Sequence, residues 1–98
     1  MPKPYTVIAI LEAKPGCEDA LEAALKKVVE PSRAEPACLE YRMHRSLDNP
    51  AQFIFYENWL SNEEHAEQFD KPYIVELKEK LDSLLGKPYQ LYFATECE

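Results

Sequence analysis

Two segments of the 98-residue chain are apolar on both faces of an extended strand, and this limits the possible folds more than any other feature. Residues 5–13 (YTVIAILEA) and 53–60 (FIFYENWL) are rich in β-branched and aromatic side chains, which favour strands. Apolar side chains stand at both odd and even positions, as is typical of a central strand that is covered on two sides. The fold must therefore supply a cover for each face of a sheet.

One helix is predicted over residues 18–30, where the spacing of apolar side chains changes from two to that of a helix. Pro31 and Pro36 are predicted to end this helix, because proline lacks the N–H that the helix needs and clashes with the preceding turn. The apolar stripe of the helix consists of Ala20, Leu21, Ala24, Leu25, Val28 and Val29.

A second helical region is predicted after residues 61–64 (SNEE), which form a capping-box motif. In such a box the Ser61 hydroxyl accepts a hydrogen bond from the Glu64 amide, and the Glu64 carboxylate reaches back to the Ser61 amide. This region is predicted to be broken in two, because Pro72 offers a new helix start and the following apolar stripe runs to Gly86.

The remaining segments predict a hairpin and a last strand. Residues 39–47 alternate between apolar and polar side chains, and the turn signal DNP at 48–50 joins them to the strand at 53–60. Residues 89–95 (YQLYFAT) form the last predicted strand. Along 39–47, one face carries Leu39, Tyr41 and Met43, and the other carries Glu40, Arg42, His44 and Ser46.

The resulting order, β-α-β-β-α-β, predicts a single α+β domain over residues 1–98 with the ferredoxin-like arrangement. Helices then cover one face of one antiparallel sheet. The other face would expose more apolar surface than a monomer usually tolerates. A second copy, packed sheet against sheet, is the simplest cover, so the sequence predicts a homodimer.

Charge and composition argue against several classes of partner. Eighteen acidic residues against 11 basic ones give a net charge of −7, which repels nucleic acid and anionic lipid. No apolar run approaches the roughly 20 residues of a membrane span, and the N-terminus lacks the layout of a secretory signal, so a cytoplasmic location is predicted. The three cysteines show no zinc spacing and the two glycines no dinucleotide fingerprint, so no metal or other cofactor is expected.

The candidate functional residues lie at the hairpin. His44 is a candidate general base because imidazole titrates near neutral pH, and Arg42 shares its strand face. Asn58 is a candidate donor to an oxyanion, and Trp59 is a candidate wall of an aromatic site, although strand alternation sends these two to opposite faces. Glu57 shares the face of Trp59 and is either an ion-pair partner at an interface or an acid near a pocket. A histidine that only fills a polar face and a tryptophan that only packs in the core are the alternatives.

Three stretches of the chain resemble the antibiotic biosynthesis monooxygenase superfamily: KPGCEDALEAAL, PSRAEPACLEYRMHRSLDNPAQFIFYENW and PYIVELKEKL. The resemblance covers nearly the whole chain, and its most specific parts are PSRAEP, the turn at 48–50 and the FYExW pattern of residues 55–59. It implies a dimeric α+β barrel and oxygenation of quinols, phenols or polyketide-like aromatics by dioxygen without metal or flavin.

The resemblance also marks differences. Many relatives carry histidines where this chain has Gln68 and Tyr73. The resemblance therefore does not carry any proton-transfer role of those histidines over to this chain. His65 falls at a position that is usually apolar in relatives. Taken together, the residues and the resemblance predict a set of functional residues. Its catalytic residues are predicted to be His44, Asn58 and His65, and its substrate-binding residues to be Arg42, Tyr56, Trp59 and Tyr73.

Three functions are compatible with these observations. A cofactor-independent monooxygenase acting on a small aromatic or quinol-like molecule and dioxygen is the first. The second is an isomerase or another acid–base enzyme that uses the same fold on a small metabolite. A dimeric stress or binding module without catalytic activity is the third, because the fold alone does not fix the activity.

Overall fold

The computed structural model describes residues 3–98 and contains a four-stranded antiparallel sheet with helices on one face. The strand order is β2-β3-β1-β4, so the two segments that are apolar on both faces are the two central strands. This is the predicted α+β, ferredoxin-like fold. The elements are β1 (Tyr5–Glu12), α1 (Glu18–Lys26), α2 (Val29–Arg33), β2 (Cys38–Arg45), β3 (Gln52–Trp59), α3 (Asn62–Glu67), a 3₁₀ turn (Gln68–Asp70), α4 (Pro72–Leu84) and β4 (Gln90–Ala94).

The core lies between the sheet and the helices. Strand β1 pairs with β3 over its full length, from Tyr5 opposite Trp59 to Glu12 opposite Gln52. This register aligns the alternate side chains of the two strands on the same face of the sheet. The buried side chains of this face pack against α1 and α4, and they are Val7, Ala9 and Leu11 of β1, Tyr41 of β2, and Phe53, Phe55 and Trp59 of β3.

The first predicted helix is shorter than expected, because it ends at Lys26 and a separate short helix, α2, contains Pro31. Proline at position 31 cannot donate to the carbonyl of residue 27, so the helical ladder is interrupted one turn before the proline rather than at it. Within α2, Pro31 lies in the first turn, where a backbone N–H has no partner inside the helix. The expected apolar stripe is mostly right, since Leu21, Ala24 and Leu25 are buried, but Ala20 is exposed.

The predicted alternation of β2 is wrong at Leu39. The pairing with β3 shifts between Cys38 and Glu40, which is the pattern of a β-bulge. The bulge leaves Leu39 56% exposed, while Tyr41 beyond it points into the core as predicted. The bulge therefore sets which β2 side chains face the helices.

The capping box of α3 is confirmed in one of its two hydrogen bonds. The Glu64 amide donates to the Ser61 hydroxyl oxygen at 3.2 Å, as predicted. The Glu64 carboxylate accepts from the Ser61 hydroxyl at 3.1 Å instead of from the Ser61 amide. The cap fixes the start of α3 directly after Trp59, so the end of β3 and the first turn of α3 are held together.

The second face of the sheet carries no helix. Its side chains alternate with the buried ones and include Ile8 and Ile10 of β1, Ile54 and Tyr56 of β3, and Tyr92 of β4. We call this surface the open sheet face. Within residues 3–98, no helix is long and apolar enough to cross a membrane.

Candidate functional site

A carboxyl group is buried between the sheet and the helices. Glu57 of β3 is 4% exposed, and one of its carboxyl oxygens accepts a hydrogen bond of 2.9 Å from the indole nitrogen of Trp59. Burial disfavours the charged form and raises the pKa of the Glu57 carboxyl to about 7, although the indole bond acts in the opposite direction. At neutral pH this group therefore populates both its acid and its carboxylate form.

A second titratable group, His65 in α3, lies beside Glu57. Its Nε2 atom lies 3.8 Å from the same Glu57 oxygen, and the residue is 4% exposed. Burial lowers the pKa of the His65 imidazole, so both members of the pair are shifted towards their uncharged forms. Four aromatic rings surround the imidazole at centroid distances of 5.3 to 6.0 Å, and they belong to Tyr5, Trp59, Phe69 and Phe93.

A second group of polar side chains adjoins this pair. Gln68 in the 3₁₀ turn donates to the Ser32 hydroxyl at 2.7 Å and to the Tyr73 hydroxyl at 3.4 Å. Burial, with Glu57 nearby as a smaller cause, raises the pKa of Tyr41, so its hydroxyl stays protonated and can donate. The site thus combines a titratable pair with neutral hydrogen-bond donors.

These groups face a cavity of about 70 Å³ between the sheet and the helices. Glu57, His65, Gln68 and Tyr41 all contribute to its lining, and the rest of the wall is largely apolar. A wider surface groove of about 850 Å³ runs along the end of α4 and the start of β4. The cavity and the groove share the lining residues Lys78, Leu81, Tyr89 and Leu91, so the two spaces adjoin.

Residues 4–80, from β1 into α4, match the model of a single protein family, which is described as antibiotic biosynthesis monooxygenase. The chain belongs to the antibiotic biosynthesis monooxygenase (ABM) family. The matched range includes both Glu57 and His65. It also includes Lys78 at the junction of the cavity and the groove.

Three similar proteins illustrate the range of the ABM match. The crystal structure of PA3566 from Pseudomonas aeruginosa has a TM-score of 0.94 and 28% identity, covering 100% of this chain and 98% of that one. "Putative monooxygenase Rv0793" from Mycobacterium tuberculosis is 28% identical over 88 residues, 90% of this chain and 86% of that protein, and its structure has a TM-score of 0.90. An uncharacterised protein from Synechocystis sp. is 31% identical over 90% of this chain, which spans 60% of that protein's length.

The structure divides the predicted site residues between the two faces of the sheet. Three of them lie on the helix side. His65 lines the cavity, Tyr73 adjoins it through Gln68, and Trp59 is 1% exposed behind Glu57 and outside the lining. The position of Trp59 indicates that its indole orients the Glu57 carboxyl rather than walling the cavity.

The other four predicted residues lie on the open sheet face. His44 is exposed, and its Nδ1 atom lies 3.3 Å from the Ile54 carbonyl oxygen. Asn58 accepts from the Thr6 hydroxyl at 2.6 Å and donates to the Glu40 carboxylate at 2.9 Å, so its amide is engaged on the sheet surface. The last two are Arg42, whose guanidinium lies 2.6 Å from Glu40, and the exposed Tyr56.

The strongest acid–base candidate, Glu57, was not among the predicted catalytic residues. The sequence contains a signal for it, since a carboxylate at an inward position of an otherwise apolar strand needs a reason to be buried. Lys78, which lines both the cavity and the groove, lies on an exposed helix face in the run ELKEK at residues 76–80, and no local pattern sets it apart. Among residues 3–98 there is no cluster of three His, Cys, Asp or Glu side chains that could hold a metal ion.

Proposed function

We propose that the protein is a cofactor-independent monooxygenase that oxidises a small quinol or another phenolic molecule with dioxygen, with Glu57 and His65 as its acid–base pair. The observation that carries this proposal is a buried carboxyl with a pKa of about 7 that lies 3.8 Å from an imidazole and faces a largely apolar cavity. The ABM family and the monooxygenase named among its relatives support the reaction class.

The chemistry begins with the removal of a proton. A phenolic substrate becomes an electron donor to dioxygen only after it is deprotonated, so the enzyme needs a base whose pKa lies near the working pH. Glu57 meets this condition through burial, and uncharged His65, 3.8 Å away, can accept or relay the proton. The hydroxyl of Tyr41 stays protonated and is a neutral donor that can stabilise the substrate anion.

No external reductant is required by this reaction. For a quinol, dioxygen adds to a ring carbon of the deprotonated substrate to give a hydroperoxide. Loss of water from the hydroperoxide then leaves a new carbonyl, and the product is a hydroxyquinone after tautomerisation. One oxygen atom of O₂ enters the product, the other leaves as water, and the substrate supplies all four electrons.

The size of the cavity limits how the substrate binds. Ordinary ligand sites have volumes of about 300 to 1,000 Å³, whereas this cavity holds about 70 Å³. The adjoining groove adds about 850 Å³. We therefore expect the reacting ring to enter the cavity while the rest of the substrate lies in the groove.

The test is oxygen consumption by a panel of quinols, naphthols and polyketide-like phenols, with chelator present and no cofactor added. We expect Glu57→Gln to lower turnover by roughly 10²- to 10⁴-fold, as the loss of a general base does. Glu79→Gln, at an exposed position on α4, is the matched control and keeps the wild-type rate. With ¹⁸O₂, the product and water should each gain one labelled atom.

The same assay separates this proposal from its alternatives. If His44→Ala abolishes turnover and Glu57→Gln does not, the base predicted from the sequence is correct and the cavity pair is wrong. If no substrate consumes oxygen but a ketone substrate exchanges a carbon-bound proton for deuterium in a Glu57-dependent way, the protein is an acid–base enzyme such as an isomerase. The absence of both reactions supports a binding module.

We also propose that the protein is a homodimer formed through the open sheet face. The supporting observation is the apolar surface contributed by Ile8, Ile10, Ile54 and Tyr56, which no helix of the same chain covers. A continuous set of polar contacts on the same face links Thr6, Asn58, Glu40 and Arg42. These contacts satisfy polar groups that such an interface would bury.

A further inference from the structure

Lys78 occupies the junction between the cavity and the groove. It lies on α4 and contributes to the lining of both spaces, together with Leu81, Tyr89 and Leu91. Its ammonium nitrogen stands 4.7 Å from the centroid of the Phe69 ring and 3.5 Å from the Phe69 carbonyl oxygen. Phe69 also packs edge-on against His65, so a single ring contacts both the ammonium group and the imidazole of the acid–base pair.

The ammonium group of Lys78 has no carboxylate partner. Within residues 3–98, no acidic oxygen lies within 4.0 Å of its nitrogen, whereas four other lysines form ion pairs at 3.2 to 3.7 Å. Lys78 differs from the other lysines of residues 3–98 in that it lines the cavity, and the groove beside it also contains the Asp82 carboxylate. The single long contact with the Phe69 carbonyl leaves donors free for a ligand.

We propose that Lys78 binds an anionic group of the substrate and that the substrate class is therefore an aromatic acid. Resting on the proposed function, this inference places the phenolic ring in the cavity beside Glu57 and His65. A carboxylate or another ionised oxygen on the same molecule stays at the junction, where it pairs with the Lys78 ammonium. Lys78 is then a residue that determines specificity, and it takes no part in proton transfer.

Three features of the junction agree with a charged ligand group. Lys87 also lines the groove, although its ammonium is 3.7 Å from Glu12. The groove is open to water, so the ionised group keeps part of its hydration and the ion pair does not bear the full cost of burial. The cation lies over an aromatic ring, which holds it in place without neutralising its charge.

The proposal is tested with two pairs of probes that differ only in charge: 2,5-dihydroxybenzoate with 2,5-dihydroxybenzamide, and 1,4-dihydroxy-2-naphthoate with its amide. Binding is measured under nitrogen, by titration calorimetry and by quenching of the single tryptophan, so the readout does not depend on turnover. For at least one pair we expect the wild type to bind the acid roughly 10- to 100-fold more tightly than the amide, which is typical of a hydrogen-bonded charge. Lys78→Met should remove the preference, and Lys78→Arg should restore most of it.

Lys80→Met is the matched control, because it removes the same charge from the same helix at a position that pairs with Glu76 and lines neither space. It should retain the preference for the acid. If Lys78→Met weakens the binding of acid and amide by the same factor, the proposal is overturned, since Lys78 would then only pack on Phe69. Equal binding of acid and amide by the wild type, or no measurable binding of any probe, would overturn it as well.

The outcome is independent of the proposed oxidation. A preference for acids that depends on Lys78, found in a protein that consumes no oxygen with any probe, would support the anion site and contradict the monooxygenase. Turnover of neutral quinols with no preference for acids would support the monooxygenase and contradict the anion site. Where both hold, Lys78→Met should raise the KM of the acid with little change in kcat.

Discussion

At the scale of a single residue, the burial of Glu57 conflicts with the charge that its carboxyl group carries when ionised. Its position in a central strand buries it, and burial makes the carboxylate form costly. The indole N–H of Trp59, two residues further along the same strand face, offsets only part of that cost. The carboxyl therefore binds a proton more tightly in the folded protein than in the unfolded chain, and this coupling can be measured.

We expect Glu57 to make the protein less stable as the pH rises from about 4.5 to about 7. The folded-state pKa is raised from 4.5 to about 7, so the stabilisation is complete below pH 4.5, is lost through this interval and stays lost above it. The free energy of unfolding should fall by about 3 kcal/mol relative to Glu57→Gln, which has no such titration. Urea unfolding of both proteins between pH 4 and 8 measures the difference.

The titration of His65 changes the stability of the protein in the same pH interval and in the opposite direction. The Glu57→Gln variant is therefore needed to isolate the effect of Glu57. Its pKa is lowered in the folded state, so its contribution is lost as the pH falls below about 6.5. This contribution is nearly the same in wild type and in Glu57→Gln, so it cancels from the difference between their free energies of unfolding. If the difference between the two proteins is the same at every pH, the carboxyl of Glu57 has an ordinary pKa. Glu79→Gln controls for the loss of a surface charge.

At the scale of the element, α3 is a helix of six residues that depends on its start. A helix this short is marginal by itself, and its cap and its packing decide whether it forms. Ser61 supplies the cap, and His65 stands one turn later with its imidazole beside Glu57. The cap therefore positions a group of the candidate site.

We expect Ser61→Ala to destabilise the protein by about 1 kcal/mol, the usual effect of removing an N-cap hydroxyl. Thermal or urea unfolding measures this loss. Ser83→Ala is the control, because the Ser83 hydroxyl bonds to a carbonyl within α4 at an exposed position. A loss no larger than that of Ser83→Ala would mean that the cap contributes nothing. Fraying of α3 should also reduce activity, since His65 moves with it.

At the scale of the whole molecule, the helices cover only one of the two faces of the sheet. The open sheet face presents Ile8, Ile54 and Tyr56 in its centre. Two copies packed through this face would remove the apolar side chains of both from water at roughly 25 cal/mol per Å². The candidate cavity lies on the other side of the sheet, so each chain would keep its own site.

We expect light scattering at micromolar concentration to give twice the chain mass of 11.4 kDa. Ile54→Glu places a charge in the middle of the open sheet face and should produce a monomer that unfolds more easily. Leu47→Glu is the control, since Leu47 is 98% exposed in the turn between β2 and β3. A wild-type protein that runs as a stable monomer, or an Ile54→Glu variant that stays dimeric, would contradict this assembly.

The fold could be predicted from the sequence to within a few residues at each element. Segments that are apolar on both faces predicted the two central strands, alternation predicted β2, and the helical stripes predicted the helices, because these patterns follow from the geometry of each element alone. The errors arose where a local exception broke the pattern. Pro31 interrupted its helix one turn early, and the bulge at Cys38 turned Leu39 outward.

The candidate site could be predicted only in part, because it depends on which elements meet. The sequence identified Trp59, His65 and Tyr73, which lie on the helix side of the sheet, but it grouped them with His44, Arg42, Tyr56 and Asn58 on the other side. Strand alternation separates Asn58 from Trp59, and this much was readable from the chain. No local pattern reports the 3.8 Å between Glu57 and His65.

The sequence by itself determined the elements, their order and the excess of apolar surface on one face of the sheet, since each is a property of neighbouring residues. Only the tertiary structure decided that Glu57 is buried beside an imidazole, that its pKa is raised to about 7, and that Lys78 lines both the cavity and the groove. These features depend on the packing of β3 against α3 and α4. Burial and distance between elements exist only once the chain has folded.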